Sequence, residues 1–330
     1  MSRLRVGIVG LGYLGSRHLE QWLQIPEVRI TAIYDTNKLS LQELANRFEI
    51  FPARSFEELL SVCDAVDIVT PSVTHFELAE KAIKFHRHVF IEKPVTQTSE
   101  EAKYLEKLAS EARVVVQAGH VERFNPAFLA AHSFIKNPMF VEAHRLAGFK
   151  PRGTDVPVVS DLMVHDIDLV LHIIGSRIRR IHAGGAAVLT PRIDICNARL
   201  EFENGATVNL TASRISLKSM RKMRIFQPGS YISIDFIDKK VDIYQLEESG
   251  HETTGTSFRI DPGNGWPVKN VRLFQPEVFH INALQHELRS FALSVINGTP
   301  PLVSLYDGRR SLEVVESILE KLQFSAHLAE

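Results

Sequence analysis

Residues 5–15 read Arg5-Val6-Gly7-Ile8-Val9-Gly10-Leu11-Gly12-Tyr13-Leu14-Gly15, an apolar strand that runs straight into a GxGxxG turn. Residues 14–23 continue with helical spacing until Pro26, and residues 29–34 form a second strand ending at Asp35. Strand, glycine turn, helix, strand and acid at about 20 residues' remove form a dinucleotide-binding signature with mechanical reasons. Gly10 permits the tight turn, Gly12 lets the backbone approach a pyrophosphate, and Gly15 lets helix and strand pack closely. The helix N-terminus offers unpaired N–H groups and partial positive charge to phosphates. Asp35 would bind the adenosine ribose hydroxyls, and its charge would repel a 2′-phosphate, which favours NAD. Lys38 is near enough to leave NADP as the less favoured alternative.

Outward from this unit the alternation continues. Strands are expected at 65–70, 88–91 and 114–118, and helices at 40–48, 55–62, 74–85 and 99–112. Ser55 with Glu58 has the capping-box spacing. Strands separated by helices imply right-handed βαβ units and a mostly parallel sheet. After Gly119 the texture changes. One helix over 162–174 follows Asp161 and ends at Gly175, with Asp161 a possible N-cap. Strands follow at 179–187, 193–202, 207–214, 223–227, 231–237 and 241–246 without helices between them, and Asn204-Gly205 signals a hairpin. Residues 248–276, rich in Gly, Thr and Pro, read as a long loop, and helices at 281–296 and 308–322 close the chain. The fold class is α/β: a Rossmann dinucleotide-binding domain over 1–120, then an α+β domain over 121–330 with a large, mainly antiparallel open sheet. A length of 330 residues accommodates two domains.

Composition limits the function. The chain has 38 Lys+Arg against 39 Asp+Glu, a balance that argues against a nucleic-acid clamp. Two cysteines, Cys63 and Cys196, build no disulfide framework and no metal-finger spacing, which fits a reducing, cytoplasmic setting and no metal site. No apolar run reaches the length of a membrane span. The basic start and apolar residues 6–15 resemble a signal peptide only superficially, because four of those ten positions are glycine.

Glu92-Lys93-Pro94 stands at the carboxyl end of the strand at 88–91. With the glycine turn, Thr70-Pro71 and the later Asp161-x-x-x-His165, it resembles the glucose–fructose oxidoreductase / inositol dehydrogenase (Gfo/Idh/MocA) family along nearly the whole chain. Residues 287–322, with Asn297-Gly298-Thr299-Pro300-Pro301 and Asp307-Gly308, are similar to that family's closing segment. The resemblance implies an NAD-dependent dehydrogenase acting on CH–OH groups. It implies catalytic roles for Lys93, Asp161 and His165. It implies a cofactor site of Gly10, Gly12, Tyr13, Leu14, Gly15, Asp35, Thr70, Pro71, His75, Glu92 and Lys93, and often a cis bond before Pro94. The chemistry agrees. A lysine at the carboxyl edge of a parallel sheet can polarise the oxygen whose carbon loses hydride. Histidine, with a near-neutral pKa, can accept the hydroxyl proton. Asp161, His165 and Asp168 fall on one helix face opposite Leu162, Leu169, Ile173 and Ile174. Asp161 could orient the imidazole or bind a neighbouring hydroxyl. Metal binding by these residues and a purely capping Asp161 are the competing readings.

The stretch Arg123-Phe124-Asn125-Pro126, together with residues 161–168, resembles the branch of this family that oxidises the 3-hydroxyl of a UDP-N-acetylhexosamine or its uronate. Met163 is bulkier than the small residue that the family as a whole often has two places after the Asp, which argues against simple sugar or inositol specificity. The expected substrate residues are Lys93, Arg123, Asn125, Arg152, Asp161 and His165. Arg145, Lys150 and Arg152 have no acid between Arg145 and Thr154, and residues 214–224 carry five basic side chains and no acid. Either cluster could meet a diphosphate or be an ordinary solvated strand end. Residues 121–224 hold 15 basic and 9 acidic side chains, against 14 and 16 before them and 9 and 14 after. A small anionic partner fits that distribution. The alternatives are an inositol or polyol dehydrogenase, an aldose oxidoreductase and, in another class, a non-catalytic NAD-binding sensor. An open sheet with one face uncovered predicts a homodimer or homotetramer.

Overall fold

The computed structural model describes residues 3–150, 156–246 and 256–327, with side chains as far as residue 323. The chain divides into two compact units, Met1–Phe124 with Asn282–Glu313, and Asn125–Ile281 with Val314–Glu330. The segment Asn282–Glu313 follows the second unit's strands in sequence but packs with the first unit.

In the first unit the elements run β1 (Leu4–Val9), α1 (Tyr13–Trp22), β2 (Val28–Tyr34), α2 (Lys38–Phe48), α3 (Phe56–Val62), β3 (Ala65–Ile68), α4 (His75–Lys84), β4 (His88–Glu92), α5 (Ser99–Ala112) and β5 (Val116–Gly119). The sheet order is β2-β1-β3-β4-β5, every pair parallel, as the alternation predicts. Both faces are covered. On one, Leu59, Leu60, Ala79, Ile83 and Leu105 from α3, α4 and α5 pack on Val66, Val89 and Ile91. On the other, Leu19 and Trp22 of α1 and Leu41 of α2 pack on Ile8 and Phe90. Leu288, Phe291 and Ala292 complete that second face, which explains why the returning segment belongs here. The β5 edge is closed by an antiparallel bridge from Gln117 to Ser304. Helix starts follow their caps. Thr98 and Glu101 form a reciprocal capping box on α5. Ser55 accepts the Glu58 N–H at α3, while the Glu58 carboxylate reaches the Arg54 N–H instead of closing the expected box on Ser55.

The second unit runs α6 (Pro126–His132), β6 (Phe140–Leu146), a π-helical turn (Val159–Met163), α7 (Val164–Ile174), β7 (Ile178–Ala186), β8 (Ile195–Phe202), β9 (Thr207–Ser213), β10 (Met220–Gln227), β11 (Ser230–Asp235), β12 (Lys240–Leu246), β13 (Thr256–Ile260) and β14 (Lys269–Phe274). Helices α8 (Ala283–Asn297) and α9 (Leu305–His327) follow, and the boundary between units falls within α9. Among the described residues the nine strands are ordered β13-β14-β12-β11-β10-β6-β9-β8-β7, and only β6–β9 is parallel. Residues 256–274 were expected as loop; they form an antiparallel hairpin whose first strand is exposed throughout, so it carries no alternation to read. The β8–β9 turn lies at Asn204-Gly205 as expected, with Gly205 at φ 87°. Val141, Ala143, Ile225, Ile232 and Ile243 point to the helix-covered face of the sheet, where Ile167 and Leu171 of α7 and Phe128 of α6 join them in one core.

Asp194 holds the β7–β8 connection. Its buried carboxylate accepts the backbone N–H groups of Val188, Leu189 and Thr190 at 2.7–2.9 Å and the Thr190 hydroxyl at 2.8 Å. Burial pushes this carboxyl up, but the donors more than offset it and hold it below the usual Asp range. A depressed folded-state pKa gives stability that is present above the unfolded value, about 3.9, and lost as pH falls toward the folded one. Asp194→Ala is expected to cost about 2–3 kcal/mol in urea unfolding at neutral pH, and the gap to the natural chain should narrow below about pH 4.

Candidate active site

The glycine turn, Asp35, Thr70-Pro71 and Glu92-Lys93-Pro94 all follow the carboxyl ends of adjacent parallel strands, the edge where open α/β sheets take ligands. Gly10 sits at φ 93°, and a Cβ there would come 2.6 Å from the Val69 carbonyl oxygen. A Cβ on Gly15 would stand 1.8 Å from the Gly10 carbonyl oxygen. Gly12 differs. Nothing lies within 4 Å of its would-be Cβ, and no side chain caps α1. The turn is closed against the protein at Gly10 and Gly15 and open at Gly12, where α1 presents its N-terminus. That arrangement fits a dinucleotide pyrophosphate.

Asp35 accepts the N–H of Leu11 through one oxygen and that of Asn37 through the other, so it ties the glycine turn to the end of β2. Lys38 opens α2 and lies 5.1 Å above the Tyr34 ring. Tyr13 and Leu14 are exposed on the first turn of α1. His75 is buried and bridges two neighbouring loops, its Nε2 2.9 Å from the Thr70 carbonyl oxygen and its Nδ1 2.8 Å from that of Pro94. The Lys93–Pro94 bond is cis. Lys93 is half-buried, and its N–H donates to Glu92 Oε2 at 3.1 Å. Among the expected cofactor residues, the structure thus joins the glycine turn to Asp35, and Thr70 to Pro94 through His75.

In the second unit, Asp161 is not an N-cap. It lies inside the π-turn, whose preceding residue Val158 makes no side-chain cap. A π-turn inserts an extra residue into the helical winding, a device common at functional sites. Asp161 faces Arg214, with Oδ2 3.9 Å from Nη2, and Arg214 also donates to the Val156 carbonyl at 2.7 Å. His165 is half-buried on the first turn of α7, while Asp168 is fully buried and does not share an open polar face with it.

The charged clusters resolve differently from their reading along the chain. Arg145, 2% exposed, forms a two-pronged pair with buried Asp166 at 2.9 and 2.8 Å, so it is a packing residue of β6 and α7. Lys222 faces Asp235 at 3.1 Å and Arg224 faces Glu142 at 3.7 Å across neighbouring strands. Arg123 is 7% exposed and donates to Asp307 at 3.3 Å. Burial raises the Asp307 carboxyl, yet Arg123 and Ser304 bring it below the usual range. Asn125 caps α6 through the Ala127 N–H and donates to the Phe236 carbonyl at 3.4 Å. Arg152 lies outside the described residues. Two groups were not anticipated from the sequence: Arg214 beside Asp161, and His18 beneath the glycine turn. The signal for His18 was its place one helical turn after Gly15, on the side of α1 that buries Leu19 and Trp22.

The family description "Oxidoreductase family, NAD-binding Rossmann fold" matches residues 4–120, and "GFO/IDH/MocA C-terminal domain" matches residues 143–227. A UDP-N-acetylglucosamine 3-dehydrogenase of Acidithiobacillus ferrooxidans is 35% identical over 94% of this chain and 95% of its own. A solved structure of that organism's UDP-N-acetylglucosamine 3-dehydrogenase superposes with a TM-score of 0.88 at 33% identity, covering 98% of both chains. A scyllo-inositol 2-dehydrogenase (NAD(+)) of Bacillus subtilis is 27% identical over 94% of this chain and 92% of its own.

The contrast between the glycines is testable. Gly12→Ala should melt within a few degrees of the natural chain, because an N-cap alanine costs about 1 kcal/mol or less where space is open. It should weaken NAD binding, read by quenching of protein fluorescence, by about 10-fold or more. Gly15→Ala should fail to fold or melt far lower. Equal behaviour of the two variants would contradict the geometry.

Proposed function

The chain belongs to the GFO/IDH/MocA oxidoreductase family, and we propose that within it this NAD-dependent dehydrogenase oxidises the 3-hydroxyl of a UDP-N-acetylhexosamine or its uronate. The observation that supports this substrate most is the likeness, along nearly the whole of both chains, to a UDP-N-acetylglucosamine 3-dehydrogenase. The basic excess of residues 121–224 agrees with an anionic nucleotide sugar.

When bound, NAD supplies the hydride acceptor at its nicotinamide ring. The protein's own residues do the rest. His165 takes the hydroxyl proton as the carbinol C–H bond breaks, so proton and hydride leave the same CH–OH group by separate routes. Lys93 donates a hydrogen bond to the reacting oxygen and stabilises the charge that develops there. Asp161, with Arg214 beside it, orients a neighbouring hydroxyl or the imidazole. Arg123 and Asn125 have partners inside the protein and support the loop after β5. A direct substrate contact by either would be additional to those bonds.

NADH formation should appear with UDP-N-acetylglucosamine or its uronate and be absent with free myo- or scyllo-inositol. Turnover of a free polyol alone would sink the substrate assignment. Lys93→Ala and His165→Ala should each lower kcat by about 10²–10⁴-fold while NAD still binds.

The same reading includes a homo-oligomer. On the strand positions that alternate with the core-facing ones, Phe140, Phe226, Tyr231, Tyr244 and Phe258 form a continuous run of rings with centroids 4.8–6.4 Å apart. An aromatic face of that size supports association of two or more copies. Light scattering should give at least twice the 37.2 kDa chain mass, and Tyr231→Glu should reduce it.

A further inference from the structure

Beneath the glycine turn, three ionisable side chains meet in the dry interior of the first unit. His18 on α1 and Asp67 on β3 are fully buried, and Glu92 at the end of β4 is 9% exposed. His18 Nδ1 lies 2.9 Å from Asp67 Oδ2, which also accepts the Trp22 indole N–H at 2.7 Å. On its other side, His18 Nε2 lies 3.2 Å from Glu92 Oε1, a charge contact off the straight hydrogen-bond line. The second oxygen of Glu92 accepts the backbone N–H of Lys93. Space for this carboxylate exists because residue 119 is glycine: a Cβ there would be 3.0 Å from Glu92 Cδ and Oε1.

Two carboxylates in such a place need a countercharge, since unpaired buried charges cost several kcal/mol each. Burial pulls the His18 imidazole down, but Asp67 and Glu92 outweigh it and hold its pKa up at about 10. The charged ring donates to Asp67 and stands in charge contact with Glu92, whose second oxygen is on the Lys93 N–H. On the far side of Lys93, His75 holds the Pro94 carbonyl.

We propose that His18 is a positioning residue: acting through Glu92, it fixes the backbone at Lys93 and so sets the direction in which the lysine side chain leaves the sheet edge. The inference rests on the reading of Lys93 as the group that acts on the substrate hydroxyl. Its consequence is that α1 serves twice. Its N-terminus carries the dinucleotide turn, and one helical turn later it fixes the lysine, so cofactor and lysine share one rigid support.

The test uses His18→Gln in the full chain, with Glu92→Gln as the second variant should the first not fold. In protein labelled with 15N-lysine, the Lys93 backbone amide should exchange with solvent about 10-fold faster in either variant. With NAD and UDP-N-acetylglucosamine as probes, kcat should fall by about 10–100-fold while the KM for NAD moves by less than about 3-fold. In a Lys93→Ala background, His18→Gln should cause no further loss of kcat, because its effect passes through Lys93. Unchanged Lys93 amide exchange, or an equal and additive loss of kcat in the Lys93→Ala background, overturns the proposal. If Lys93→Ala itself leaves kcat intact, it is the proposed function that fails. The amide exchange, which needs no substrate, still decides whether His18 fixes the Lys93 backbone.

Discussion

The absence of a single β-carbon governs the first unit. With only hydrogen at residue 15, α1 lies down on the carbonyl of Gly10, in a space where a methyl group would overlap it. That contact sets the height of the helix above the sheet. Once α1 lies so close, Leu19 and Trp22 reach the core, and His18 reaches the acids of β3 and β4. The close approach also leaves the first turn of α1 at the strand ends with its N–H groups toward open space. Packing and ligand geometry are therefore two results of one steric fact, and the second unit's site residues are supported by different means.

There the support is electrostatic. Arg145 occupies an inward position of β6, where its neighbours Val141 and Ala143 are apolar, and Asp166 meets its charge there with both oxygens. A buried pair of this kind gives little net stability over an apolar one, but removing either partner leaves a charge stranded. It therefore fixes how α7 is seated on the sheet and hence where His165, one residue before Asp166, stands.

Much of this was legible in the chain. The glycine turn with its flanking strands announced the parallel sheet and the edge that carries Asp35, Thr70 and Lys93. The Asn204-Gly205 turn announced the antiparallel meander. What escaped had physical reasons. β6 alternates like any half-buried strand, but with a buried arginine and charged or polar neighbours it was given no element, and Arg145 was read only as part of a basic cluster. The strand Thr256–Ile260 is exposed on both faces and has no pattern to find. The π-turn leaves no mark in a periodicity of three to four. The basic run 214–224 seemed unopposed because its acids, Asp161, Asp235 and Glu142, are distant in sequence and arrive only across strands or from the helix side. Local pattern reports neighbours along the chain; charge pairing and winding defects depend on neighbours in space.

The lone parallel pair in the second sheet has a consequence for how the domain assembles. β7, β8 and β9 are consecutive antiparallel strands, as are β10, β11 and β12, so each ribbon is built from its own hairpins. β6 is a seam between them. It pairs β9 on one side, with Phe140 opposite Thr207, and β10 on the other. Hairpins close in microseconds, whereas contacts that span long loops must first meet the entropy of closing them. The two ribbons thus pair strands that are neighbours in sequence, whereas the seam joins segments far apart along the chain. The seam also carries Arg145, which meets Asp166, so the seat of the helix bearing His165 depends on the least local pairing in the sheet.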